Sequence, residues 1–250
     1  MKRRRKEKKK VGLLTPQPKP KVPLCAMSQF VKFNNQTAGR DKLARLLQYA
    51  SRVTWYYMLK CNATHKSVDT VKSLEFTLST FRKLLRMGRF LDTLYGALTS
   101  MNYTEAMVRY TSTFSKIAHA VYLFCDNLLW MARAGFANIN TDKWSVRANK
   151  CWLYSVTMSL VRDIYEINRL LEANRAKTNQ RKSSVSLLKL AHQNKDVFVD
   201  TLKNSCDILI PLTALGYVRL SPGMVGILGV VSSVAGIAAL INPTYKLCPP

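Results

Sequence analysis

The sequence predicts an all-α protein: an antiparallel helical bundle with a basic amphipathic membrane-binding helix and a C-terminal transmembrane helix or hairpin. Three observations predict it. Apolar residues recur at steps of three and four along most of the chain, and no strand alternation appears. The segment 71–101 sets Arg and Lys against apolar positions and carries few acids. No charged residue lies between Arg219 and Lys246.

The chain opens on a Lys/Arg block and a spacer containing Pro16, Pro18, Pro20 and Pro23. Residues 1–26 lack apolar periodicity and read as a disordered tail. They also lack the apolar core of a secretory signal peptide. Such a tail suits an electrostatic membrane contact or a nuclear address. The composition favours a plain solvated tail, or an extension upstream of a chain that begins at Met27.

A helical domain is expected over 27–173. Its first helix follows Leu43, Leu46, Leu47, Ala50, Val53, Tyr56 and Tyr57, with Arg40, Lys42, Arg45 and Arg52 between them. The next is the most amphipathic. Leu74, Leu78, Phe81, Leu85, Gly88, Leu91, Tyr95 and Leu98 fall on one side, and Arg82, Lys83, Arg86 and Arg89 fall mostly on another. A basic face against an apolar face is the pattern of a helix lying in an anionic membrane surface. Each Lys or Arg near such a surface contributes about 1 kcal/mol. The candidate membrane-binding residues are therefore Leu74, Leu78, Phe81, Arg82, Lys83, Leu85, Arg86 and Arg89. The same pattern also fits a bundle helix whose basic side faces water.

Asn102 and Glu105 form a capping pattern for the helix through Met107, Tyr110, Phe114, Ile117, Val121, Leu128 and Leu129. Ile117–Ala137 is apolar apart from His119, Asp126 and Arg133. It fits either a second span with a polar interior face or a buried bundle helix. The cost of charges inside a span favours the buried helix. Thr141-Asp142 caps a helix through Trp152, Val156, Leu160, Ile164, Ile167 and Leu171, in which Arg162 and Glu166 make an i,i+4 pair. Residues 174–186 are polar and basic and read as a linker. Residues 187–219 form a helix leading to the membrane, which Pro211 should kink or end.

The segment 220–245 holds the span. A helix needs roughly 20 mainly apolar residues to cross a bilayer. Ser221 can cap it, Pro222 suits the first helical position, and Pro243 closes it. Gly226, Gly229, Ser233 and Gly236 lie along one stripe, the candidate surface for helix–helix association.

The formal net charge of +25 implies an anionic partner. Residues 1–26 hold ten Lys/Arg and one Glu, so +16 remains without them. No zinc spacing or RNA-recognition aromatic motif is present, and the apolar terminus argues against nucleic acid. The six cysteines are scattered with no C-x-x-C, which fits a reducing compartment. His65, His119 and His192 stand alone, so no metal or cofactor is expected. No nucleophile elbow, phosphate loop or paired carboxylates point to an enzyme. Asp126, Asp163 and Glu166 are the acids worth following, and structural roles suffice for them.

Five strings taken in order resemble the peroxin eleven family of peroxisomal membrane-elongating proteins, closest to its alpha and beta vertebrate forms. They are Arg82–Gly88, Phe124–Trp130, Arg162–Ile167, Cys206–Leu212 with Leu215-Gly216, and Gly223–Gly229 with Val231–Ser233. The resemblance runs from about Met27 to the end. Residues 1–26 have no counterpart in it, and the 174–186 linker is short and lacks the Gly-rich insert of some members.

The resemblance implies a peroxisomal membrane protein that inserts an amphipathic helix to curve and elongate the membrane, promoting peroxisome proliferation and fission. The element matching that role is the helix bearing Arg82, Lys83, Arg86 and Arg89. It further implies an N-terminal region facing the cytosol, anionic membrane lipids as partners, and self-association into homo-oligomers. Delivery by the import receptor peroxin nineteen, and contact with a fission receptor and a dynamin-like GTPase, belong to the same expectation. A channel for small anionic metabolites is the alternative function.

Overall fold

The structure is a computed structural model that describes residues 33–178, 193–242 and 245. The expected basic tail and most of the expected linker lie outside those residues. Among the described residues the regular structure is entirely helical, as the spacing requires.

Seven long helices follow in order: α1 Thr37–Lys60, α2 His65–Leu85, α3 Arg89–Ser100, α4 Ala106–Arg133, α5 Thr141–Thr178, α6 Lys195–Ala214 and α7 Pro222–Ile241. They close a circuit. α1 packs on α2 and on α7, α7 on α6, α6 on α5, and α5 on α4; α4 returns to α2 and α3. The ring therefore has an inside and an outside.

The expected single helix over 71–101 is two helices. α2 ends at Leu85, and Gly88 takes a left-handed backbone with φ of 77° before α3 begins. Glycine adopts that conformation without a Cβ penalty. Two caps also differ from expectation. α4 starts from Glu105 with no side-chain cap bond, so the Asn102–Glu105 box does not form. α5 is capped one residue early: the Lys143 amide donates to Asn140 Oδ1 at 3.1 Å.

Pro211 lies inside α6 rather than ending it. α5 continues to Thr178, into the segment read as a linker. α7 starts as expected, with Ser221 Oγ accepting from the Met224 amide at 3.3 Å and Pro222 in the first turn. It is the one described helix long and apolar enough to cross a membrane.

Two small apolar clusters brace the ring. One joins Tyr49, Ile210 and Val225; the other joins Cys125, Leu129 and Ala148. Between them the interior is polar. Among the described residues, buried polar and charged side chains outnumber buried apolar ones. In a protein surrounded by water the balance runs the other way.

Candidate functional site: a charged interior and an apolar exterior

The basic stripe of α2 points inward. Arg82 donates from Nε to Asp41 Oδ1 at 3.1 Å and from Nη1 to Gln48 Oε1 at 2.7 Å. Arg86 pairs with Asp126 and donates to the Tyr122 hydroxyl at 3.1 Å. Lys83 pairs with the other Asp126 oxygen. Arg89 reaches Asp41 at 3.7 Å. So Asp41 on α1 and Asp126 on α4 together collect the four cations expected to meet lipid headgroups. Arg82 and Arg86 are buried, and Lys83 and Arg89 are partly so. This corrects the expected orientation. The helical spacing defined the stripe but not the side it faces.

Burial pushes the Lys83 ammonium below its usual range, and the Asp126 charge only partly offsets that. Burial, then the neighbouring Arg86, lowers Arg82. An ion removed from water loses several kcal/mol of hydration, which a well-placed partner must offset. Deleting one partner therefore costs more than the pair contributes.

The apolar side of the same helices faces out. Leu74, Phe76, Phe81 and Leu84 on α2 and Met87 in the turn after it are exposed, as are Leu91, Leu94, Tyr95 and Leu98 on α3. Leu78 and Leu85 are half-buried. Tyr95 retains 72% of its surface, far above what a core aromatic keeps. The outer face continues over α4 with Tyr110, Phe114, Ile117, Val121 and Phe124, and over α5 with Tyr154, Val161 and Ile164. The α4 finding qualifies the preferred reading of Ile117–Ala137 as a buried helix. Part of the segment is buried as expected, with Ala120, Leu123, Cys125 and Leu129 beside Asp126 and Asn127, but Ile117, Val121, Phe124 and Met131 face out. A contiguous apolar surface of this kind marks a lipid or protein contact.

The small-residue stripe of α7 is occupied by α1. A methyl at Gly226 would stand 2.7 Å from Val53 Cγ2, and one at Gly229 would overlap the Tyr49 ring. A methyl at Gly236 would meet Lys42 Nζ at 2.9 Å. Ser233 is fully buried and donates to the Gly229 carbonyl at 2.6 Å. The stripe lies against α1, a helix of the same chain. Beside it, Ser232 Oγ donates to Asp207 Oδ1 at 2.5 Å, and Asp207 also pairs with Arg45.

Further ion pairs complete the interior. Arg162 pairs with Asp163 at 2.7 Å and Asp200 at 2.5 Å, and Asn204 donates to Asp163 at 2.7 Å. The expected Arg162–Glu166 pair does not form; Glu166 meets Arg169 at 3.7 Å instead. Asp126 and Asp163 thus have the structural roles expected of them.

Two cavities, of about 270 and 340 Å³, lie within the ring and share Lys42, Arg45, His119 and Trp152. No group of His, Cys, Asp and Glu that could hold a metal occurs among the described residues. Asp41, Lys42, Arg45 and Asp207 were not singled out from the sequence. Only Asp207 carried a signal, a lone charge in an apolar string; Asp41, Lys42 and Arg45 sit in a charged cluster with Arg40.

A ring of helices with charges inside and apolar side chains outside defines a class, the helical membrane protein. Charged residues in such proteins face the bundle interior and pair with one another. Sequence comparison gives the family. Residues 27–241 match the family described as Peroxisomal biogenesis factor 11 (PEX11). The chain is 33% identical over 244 residues to human Peroxisomal membrane protein 11A, covering 88% of this chain and 99% of that one. It is 30% identical over 259 residues to human Peroxisomal membrane protein 11B, covering 89% and 100%. It is 26% identical over 243 residues to Peroxisomal membrane protein PMP30B of Candida boidinii, covering 87% and 95%. No solved structure matches. The chain belongs to the PEX11 family, peroxisomal membrane proteins involved in peroxisome biogenesis.

Proposed function

We propose that this protein curves and elongates the peroxisomal membrane, promoting proliferation and fission, by seating the outer face of α2 and α3 in one leaflet. The observation that carries the reading is the row of exposed apolar residues from Leu74 to Leu98, backed by cations that are paired inside. An apolar face buried about 5–10 Å into one leaflet expands that leaflet and bends the sheet. α7, held against α1, anchors the wedge. Under this reading, headgroup contact by Arg82, Lys83 and Arg86 is not needed for insertion; their pairing holds the wedge in shape.

The N-terminal region faces the cytosol in this proposal. Delivery by peroxin nineteen and engagement of a fission receptor with a dynamin-like GTPase fit it. Copies of the chain associate through a face other than the α7 stripe, which α1 already covers. Reconstitution of the full chain into liposomes tests the wedge. The wild type should draw tubules; Leu74→Glu with Phe81→Glu should insert and fold but leave the liposomes round. Equal tubulation by both would end the reading.

A second reading is passage of small anionic metabolites. The observation favouring it is the charged interior, whose two cavities share a wall of basic side chains. Conductance of planar bilayers containing the purified protein tests it.

A further inference from the structure

We propose that the cavity bounded by α1, α4, α5 and α6 is a binding site for a phosphate-bearing anion, held by Lys42 and Arg45. The inference deepens the second reading, since passage needs a site; a site, however, does not need passage.

Several buried donors here lack acceptors. Arg45 Nε and Ser112 Oγ are buried and have no hydrogen-bond partner. Lys42 makes no hydrogen bond or ion pair with any described residue, although it lines both cavities and its Nζ is packed against Gly236. Native interiors leave few such groups unsatisfied, and each calls for a water or an ion. An unpaired ammonium away from bulk water is costlier than an unpaired hydroxyl.

The acids nearby are already engaged. Asp207 is held by Arg45 and Ser232. Asp200 is shared by Arg162 and by Lys203 at 2.9 Å. Asp163 is taken by Arg162 and Asn204. Asp41, which also attracts Lys42, is engaged by Arg82, Arg86 and Arg89, so no acid pairs directly with Lys42 among the described residues. The cavity wall thus keeps positive charge in excess, which repels cations and attracts anions.

The shape and the donor set select the anion. The cavity measures about 340 Å³, room for more than a halide. Its free donors come from two helices and are of three kinds: an ammonium, a guanidinium N–H and a hydroxyl. An anion with several oxygens can accept from all three at once, and charge-assisted bonds to such oxygens are the stronger ones. Inorganic phosphate, a phosphate monoester and a phosphorylated lipid headgroup share that chemistry.

The test uses the full chain purified in detergent. Inorganic phosphate should raise the thermal unfolding midpoint saturably, above sodium chloride of equal ionic strength. Lys42→Met should fold with an equal or higher midpoint in chloride, because it loses an unpaired charge. Its half-saturating phosphate concentration should rise by roughly tenfold or more, the loss of one charge-assisted bond. A structural lysine would instead lower the midpoint in chloride. Ser112→Ala should weaken the phosphate response less, and Lys60→Met, at the outer end of α1, should not change it. Nanodiscs of phosphatidylcholine with and without a phosphatidylinositol phosphate separate the sources. A response to phosphate in detergent supports a free anion; a response confined to the inositide nanodiscs supports a headgroup. No response to either, or Lys42→Met responding as wild type, overturns the proposal. Absence of tubulation or of conductance would leave it standing, so its failure is distinguishable from theirs.

Discussion

α2 and α7 each carry one stripe that a sequence reader would assign to a partner outside the chain. On α2 the stripe is basic, and on α7 it is made of small residues. Both stripes turn inward. Acids 40 residues or more away in sequence receive the first, and the flank of α1 receives the second. What the two helices present outward is the same: large apolar side chains such as Phe81 and Leu84 on one, and Met224 and Val234 on the other. The difference lies in what holds each inner face. α2 is held by charge pairing in a polar interior, and α7 by close backbone approach. The shared outward face teaches that apolarity here sorts toward the surroundings rather than the core, as it does when the solvent is lipid.

The largest effect is expected where charge holds the contact. Asp126→Ala strands Lys83 and Arg86 inside the ring, and removing one partner of a buried pair costs about 3–5 kcal/mol. Its unfolding midpoint in detergent should fall far below that of any variant named next. A wild-type midpoint would mean that these cations face outward after all.

At α7 the contact is steric. Gly229→Ala puts a methyl into the Tyr49 ring, and overpacking costs about 1–3 kcal/mol. Adding Tyr49→Leu should restore part of that stability; a stripe that served another chain would show no such rescue.

A smaller effect separates α2 from α3. Gly88→Ala meets no atom within 4 Å, so its cost is backbone strain alone, about 1–2 kcal/mol. Circular dichroism on melting should show that loss; no loss would point to one continuous helix.

The smallest effect belongs to the outer face. Leu91→Ala should change stability by less than about 0.5 kcal/mol. A leucine in a packed core would lose about 2–5 kcal/mol. The same denaturation series decides between them.

The helices themselves were legible in the chain. The start of α7 followed from Ser221-Pro222, and the stripe positions Gly226, Gly229, Ser233 and Gly236 followed from spacing. The facing of the stripes was not legible. A 3.6-residue period divides a helix into faces but does not say which one meets solvent. Placing the basic face outward presumed water outside the bundle. Asp126, an isolated acid in the apolar string Phe124–Trp130, carried the counter-signal, because an acid there needs a basic partner. Its pairing with Lys83 and Arg86 spans 43 and 40 residues, beyond what periodicity reaches. The break at Gly88 was also hidden, since glycine tolerates the helical apolar pattern on both sides of it.

Collision accessibility of spin labels in bilayers reads which medium the apolar exterior meets. Labels would replace Leu91, Phe114 and Ile164, one at a time, in the full chain reconstituted in phosphatidylcholine. With inverted polarity, oxygen, which concentrates in lipid, should collide with all three more often than a water-soluble nickel chelate does. Chelate collisions exceeding oxygen collisions at all three sites would place the apolar exterior in water and contradict it.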